Sequence, residues 1–251
     1  MKIQKDYRPL GCHECTGSNL LDFDYTMAFQ PIVNIVSKQV FAYEALVRGL
    51  NNEPAGAVFD HVNDTNRYRF DQTCRVKAVK LAAELAVPCL LNINFMPNAV
   101  YRPELCIQTT LAAAALYQFP INRIVFEITE SEQVEDVAHL KNIVVHYQKT
   151  GFLTAIDDFG AGYAGLNLLA EVQTDFVKLD IALIRNIDKD KTRQALVKGF
   201  VQFCSELSIQ LIAEGVEQKA EVDVLQSFGI ELFQGYYFAR PLFQGLPAVS
   251  I

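Results

Sequence analysis

At 251 residues, 51% hydrophobic and 20% charged, the chain suits one large α/β domain or two small ones, and is long enough for a closed core. A formal charge of −7 argues against broad nucleic-acid binding, which needs a positive face, but leaves open a small anionic ligand held through metals. No apolar run approaches bilayer-spanning length and Met1–Leu10 lacks a signal-peptide core, so a cytoplasmic protein without a membrane span is expected.

Residues 1–24 are polar and irregular and read as an N-terminal arm; residues 25–251 read as one domain. The arm holds Cys12-His13-Glu14-Cys15, half of a zinc site with no second pair at ribbon spacing, so a plain arm competes with a metal or redox role. Cys74, Cys89, Cys106 and Cys204 sit in apolar surroundings and read as buried free thiols. Phe29–Val36 and Val40–Val47 read as two strands around a turn at Ser37-Lys38, the second carrying Glu44. A glutamate in an apolar strand is out of place unless it faces water or a ligand. Helical patterns follow at Ala57–Val62 and Asp71–Leu85, then a strand at Cys89–Phe95 interrupted by Asn92 and Asn94. A long Ala-rich helix is expected over Leu105–Phe119 and a strand over Ile124–Ile128, with Glu127 inside it.

Ser131 reads as the cap of an amphipathic helix that stops at Gly151. Strands are expected at Phe152–Ile156 and Phe176–Asp180, the latter with Phe176, Lys178 and Asp180 on one face. Lys191–Leu207 forms a helix with Leu196, Phe200, Cys204 and Leu207 on one stripe. Ile209–Ala213 is a strand ending in Glu214-Gly215, Ala220–Phe228 a helix, and Glu231–Phe238 a final strand with Gln234. Strands alternating with helices indicate a parallel sheet with crossovers.

Asp157-Asp158 closes an apolar run, followed by Gly160-Ala161-Gly162-Tyr163-Ala164-Gly165, with Leu166, Leu168 and Leu169 spaced like one side of a helix. The glycines match a dinucleotide fingerprint, with Asp180 about 20 residues on. That reading fails because two acids would face a pyrophosphate that wants bare amides, and because βα-like units lie on both sides. A capped turn with solvated acids is the bland alternative. Adjacent carboxylates at a strand mouth otherwise call for a positive charge between them.

One polar residue ends or interrupts each strand: Glu44, Asn94, Glu127, Asp157 with Asp158, Lys178, Glu214 and Gln234. Each alone reads as a solvated strand end, a turn cap or a surface lysine. Together they favour a TIM-type (β/α)8 barrel, where strand ends meet at one face, over an open sheet that would spread them out. Glu44, Glu127, Asp157, Asp158 and Glu214 carry five negative charges, which Lys178 and two divalent cations would balance. Oxygen ligands suit Mg²⁺ or Mn²⁺, and His13, His61, His139 and His146 all lie outside the series. Two such ions, about 3.5–4 Å apart, clamp the attacking and leaving oxygens of a phosphoryl displacement.

Glu44-Ala45-Leu46 with Val47-Arg48-Gly49 resembles the signature of the EAL family of cyclic-di-GMP phosphodiesterases. Further matches are Asn92-Ile93-Asn94-Phe95, Phe126-Glu127-Ile128-Thr129-Glu130, Ile156-Asp157-Asp158-Phe159-Gly160, Val177-Lys178-Leu179-Asp180, Ala213-Glu214-Gly215-Val216-Glu217 and Gln234-Gly235-Tyr236. The resemblance runs from about Phe29 to Pro241, with departures at Phe95-Met96, Ala161 and Ala164-Gly165. It implies a modified TIM barrel, with one antiparallel strand near the start, that hydrolyses cyclic di-GMP to linear pGpG with two Mg²⁺ or Mn²⁺ ions. By that resemblance Glu44, Asn94, Glu127 and Asp157 hold one ion, and Asp157, Asp158 and Glu214 the other. Lys178 assists the attacking water, Gln234 supports it, Arg48 and Asp180 contact substrate, and Glu130 braces the loop Phe159–Leu166. A homodimer is expected, with that loop coupling assembly to activity. The competing function is a non-catalytic cyclic-di-GMP receptor or partner-binding module.

Overall fold

A computed structural model describes residues 21–129, 136–161 and 165–251. The expectations placed on Cys12–Cys15, Glu130 and Ser131 therefore lie outside the described residues. The first two strands, β1 (Thr26–Asn34) and β2 (Gln39–Arg48), form an antiparallel hairpin. Its turn is tied by Asn34 Oδ1, which accepts from the backbone N–H of Val36 and Ser37 at 2.9 and 2.8 Å. Lys38 there takes the left-handed region at φ 55°. The strands that follow are β3 (Leu90–Asn94), β4 (Ile124–Thr129), β5 (Leu153–Phe159), β6 (Phe176–Leu179), β7 (Gln210–Ala213) and β8 (Leu232–Gln234). From β2 to β8 every neighbour is parallel. β1 closes the ring, antiparallel to both β2 and β8, which gives the modified TIM barrel with one reversed strand. A short β9 (Leu242–Phe243), absent from the sequence reading, pairs with β1 outside the ring.

Helices α1 (Ala55–Phe59), α2 (Arg67–Glu84), α3 (Pro103–Cys106), α4 (Gln108–Leu116), α5 (Val137–Thr150), α6 (Gly165–Glu171), α7 (Ile181–Ile184), α8 (Lys191–Glu206) and α9 (Lys219–Ser227) connect the strands. The outer core lies between them and the barrel. α5 is capped by Asp136, whose Oδ1 accepts from His139 N–H, and stops at Gly151, whose φ of 101° excludes most side chains.

The barrel interior has two storeys. Ile32, Ala42, Val125, Ala155, Phe176, Ile212 and Leu232 pack into a buried apolar floor. Two residues further towards the mouth stand Gln30, Glu44, Glu127, Asp157, Lys178 and Gln234 on the same strands, and Glu214 just past the end of β7. Two-residue alternation turns both sets inward, so the floor fixes the height at which the polar set emerges.

Several sequence boundaries shift. β1 starts at Thr26 and ends at Asn34, because Val36 belongs to the turn. α1 spans Ala55–Phe59 and α2 starts at Arg67, both earlier than expected. The long helix over Leu105–Phe119 is two pieces, α3 and α4, sharing Ile107, which keeps right-handed helical angles. β6 ends at Leu179, because Asp180 turns to cap α7. β8 is only three residues, because the backbone folds at Gly235 against Val216. On α8 the buried residues are Val197 and Cys204, whereas Leu196, about a quarter-turn away, is 60% exposed. Leu168 and Leu169 are buried, but Leu166 is 59% exposed. Cys74, Cys106 and Cys204 are buried free thiols, while Cys89 is half-buried.

Candidate active site

At the mouth of the barrel the Lys178 ammonium is the centre of a cup of carboxylates. Its Nζ lies 2.7 Å from Glu214 Oε1, 2.9 Å from Glu127 Oε1, 3.0 Å from Asp157 Oδ1 and 3.2 Å from Glu44 Oε2. Burial opposes a charge on Lys178, but Asp157, Glu127, Glu214 and Glu44 outweigh it and hold its pKa well above the ordinary lysine value. Glu127 is fully buried, and desolvation followed by repulsion from Glu44 pushes its pKa well up despite Lys178. Desolvation and then Asp157 do the same to Glu214. Asp158 is half-buried, and desolvation with the neighbouring Asp157 raises it to about 6. Carboxylates crowded to this degree ask for more positive charge than one lysine brings.

Amide side chains brace the cup. Asn94 Nδ2 donates to Glu44 Oε1 at 2.9 Å and to Glu127 Oε2 at 3.4 Å, and Gln234 Nε2 donates to Glu44 Oε2 at 2.7 Å. Asn92, which also interrupts this strand but is not among the expected ligands, faces inward and donates to Glu127 Oε1 at 2.7 Å. The side-chain oxygens of Asn92 and Gln234 are buried and find no hydrogen-bond partner among the described residues.

Asp157 and Asp158 share the cup because β5 is irregular at this point. The pairing with β6 passes from Ile156–Val177 to Phe159–Leu179, which inserts one extra residue into β5. Asp158 takes the left-handed region at φ 54°, and its N–H donates to Asp157 Oδ1 at 3.0 Å. In a regular strand Asp158 would face the helices. Here oxygen atoms of Asp157, Asp158 and Glu214 all lie within 4.8 Å of one another, as do those of Glu44, Glu127 and Asp157. The two triads share Asp157. All-oxygen donors, an excess of negative charge and orphaned amide oxygens beside them fit a pair of hard divalent cations.

Two clefts meet at this cup. One, of about 390 Å³, is walled by Asp180, Ile181, Glu214, Gly215, Glu217 and Tyr236, with Gln30 from β1 at its base. The other, of about 470 Å³, is lined by apolar groups such as Leu46, Phe59, Phe70 and Met96. Glu44, Asp157 and Asp158 belong to both. Asp180 borders the first cleft, and its Oδ1 accepts from Ala182 N–H at 2.7 Å. Arg48 ends β2, and its guanidinium donates to the Val47 carbonyl at 2.7 Å. Gln30 escaped the sequence reading, although a glutamine in the apolar run Thr26–Asn34 is the same signal that marked Glu44.

A family model described as the EAL domain matches residues 20–241. The blue light- and temperature-regulated antirepressor BluF of Escherichia coli (strain K12) is 31% identical over 224 residues, 89% of this chain and 56% of that protein. The cyclic di-GMP phosphodiesterase PdeB of Shewanella oneidensis is 33% identical over 151 residues, 60% of this chain and 18% of that one. The chain thus spans little more than half of BluF and under a fifth of PdeB. Among solved structures, the c-di-GMP bound form of a standalone versatile EAL protein from Vibrio cholerae O395 superposes with a TM-score of 0.90 at 60% identity, covering 92% of this chain and 98% of that one. The manganese/cy-diGMP complex of Klebsiella pneumoniae BlrP1 at pH 9.0 gives 0.85 at 33% identity, covering 93% and 60%.

Proposed function

The chain belongs to the EAL domain family, and we propose that it hydrolyses a phosphodiester bond of cyclic di-GMP to give linear pGpG. One observation carries this reading: two carboxylate triads sharing Asp157 converge with a charged Lys178 at the barrel mouth. In the proposed site Glu44, Asn94, Glu127 and Asp157 hold one divalent ion, and Asp157, Asp158 and Glu214 the other. The Asn94 amide, which now donates to Glu44, presents its oxygen after a simple flip. Bound Mg²⁺ or Mn²⁺ would supply the positive charge that activates water and stabilises the departing oxygen.

The protein's own groups do the rest. Lys178, fixed as an ammonium by its neighbours, orients the attacking water and offsets charge that develops on the phosphoryl oxygens. Gln234 holds Glu44 in place from the far side. The two clefts that meet at Asp157 and Asp158 suit a ligand with two bases on one central phosphate ring. The apolar cleft accepts a purine face; the polar one offers Asp180 and Glu217 as acceptors and Tyr236 as an aromatic wall. Arg48 gives one donor to the Val47 carbonyl and keeps others in its guanidinium fork for a phosphate. Glu130 is proposed to brace the loop after Asp158, in a homodimer whose assembly tunes that loop.

A second reading, a receptor that binds without cleaving, draws on the likeness to BluF, whose name is that of an antirepressor. The described residues keep both carboxylate triads, which favours turnover. Incubating the protein with cyclic di-GMP and Mn²⁺ and following pGpG by chromatography separates the two. Substrate that is bound tightly and recovered intact would favour the receptor.

A further inference from the structure

The polar cleft owes its wall to two loops, one after β6 and one after β7, and a buried carboxylate outside the metal cup joins them. Glu221, in the first turn of α9, is 1% exposed. Its Oε2 accepts from the backbone N–H of Glu217 at 3.0 Å and of Gln218 at 3.1 Å. Those contacts alone would be an ordinary helix cap. Its Oε1, however, accepts from the backbone N–H of Asn186 at 2.9 Å, 35 residues away on the loop after α7. Asn186 is held there in the left-handed region at φ 57°.

Three more contacts weld the same two loops. Arg185 pairs bidentately with Glu217 at 2.6 and 2.9 Å. Gly215, at φ +66°, lies so close to Ile181 that an added Cβ would come within 2.6 Å of it. Glu214 N–H donates to the Leu179 carbonyl at 3.1 Å. Glu214 and Glu217 on one loop, and Asp180 and Ile181 on the other, thus form a single wall. Glu221 is the fully buried group that bonds to the backbone of both.

We infer that Glu221 is a positioning residue for the second metal-ion set, holding the loop of Glu214 in register with Asp157 and Asp158. The inference rests on the two-ion reading of the cup but concerns metal binding, not turnover. Removal of an outer supporting partner typically weakens metal affinity by about 10- to 100-fold.

The test is Mn²⁺ titration calorimetry on Glu221→Ala, alongside amide hydrogen exchange. The expected result is one of the two Mn²⁺ steps weakened by about 10- to 100-fold with the other little changed, and faster exchange at Asn186 and Glu217. Should Glu221→Ala not fold, Glu221→Gln keeps the volume and one acceptor and should give a smaller shift in the same direction. Faster exchange with a wild-type Mn²⁺ isotherm would reduce Glu221 to an ordinary cap and overturn the inference. A wild-type protein that binds two Mn²⁺ yet leaves cyclic di-GMP intact would end the hydrolase reading and leave this one standing.

Discussion

Lys178 Nζ lies 2.7 Å from Glu214 Oε1, the shortest of the four ion pairs the lysine makes across the barrel mouth. Lys178 lies on β6 and Glu214 directly follows the adjacent β7; the lysine is shut away from solvent among the acids, whereas the Glu214 side chain keeps 14% of its surface exposed. Among the described residues, Lys178 is the cation that pairs with these carboxylates.

Lys178→Met should therefore destabilise the metal-free protein by about 3–5 kcal/mol, the usual cost of stripping one partner from a buried ion pair. Mn²⁺ should recover most of that loss, because the ions take over the neutralising role. Melting curves in EDTA and in Mn²⁺ measure the difference. Turnover should fall much more than Mn²⁺ affinity; a mutant losing both equally would make Lys178 merely structural.

Glu44 is the shared acceptor of Lys178, Asn94 and Gln234 and belongs to the first carboxylate triad. Glu44→Ala should lower the hydrolysis rate by more than about 100-fold, beyond what loss of a supporting partner causes. Full activity in this variant would rule out the assignment of the first ion.

Protonation should compete with metal binding. Asp158 titrates at about 6 in the folded protein, above its ordinary value, so the folded chain binds more protons than the unfolded one between about pH 4 and 6. Its contribution to stability is complete below that window and lost as pH rises through about 6. Glu127 and Glu214 are raised too and act in the same direction. Melting temperature in EDTA should thus fall with rising pH, while the stabilisation by added Mn²⁺ grows. Thermal shift measured from pH 4.5 to 8 with and without metal, a range of about 3.5 units, tests both slopes.

Gly235 follows Gln234 where β8 folds against the β7 loop. Val216 N–H donates to the Gln234 carbonyl and Tyr237 N–H to the Val216 carbonyl, both at 3.1 Å. A Cβ at position 235 would collide with the Val216 carbonyl. Gly235→Ala should cost about 1–3 kcal/mol as overpacking and shift Gln234 off Glu44. Chemical denaturation measures the first effect and the rate the second; an unchanged midpoint would mean the loop yields freely.

Much of the site was legible because polar groups in apolar strands are rare and costly. Glu44, Glu127 and Lys178 stood out on that ground, and the structure brings both glutamates within 3.2 Å of the Lys178 ammonium. The same rule should have caught Gln30. Helix limits were less legible, because a helical period carries over a break in the backbone: the run Leu105–Phe119 holds one apolar pattern, yet α3 and α4 part at Ile107. Leu196 was placed on the wrong stripe because Val197, one residue on, fits the same period and is the one that meets the barrel.

The sequence by itself determined which residues carry charge at the strand ends, and two-residue alternation turned most of them to one side. It could not decide where Asp158 points. Alternation sends it outward; the extra residue in β5 and a left-handed backbone bring it back beside Asp157. Nor could it reveal that Glu221 reaches Asn186, because that bond exists only once the β6 and β7 loops lie side by side. Local chemistry is written along the chain, whereas a bulge and a contact between distant loops depend on register and closure, which the closed barrel alone supplies.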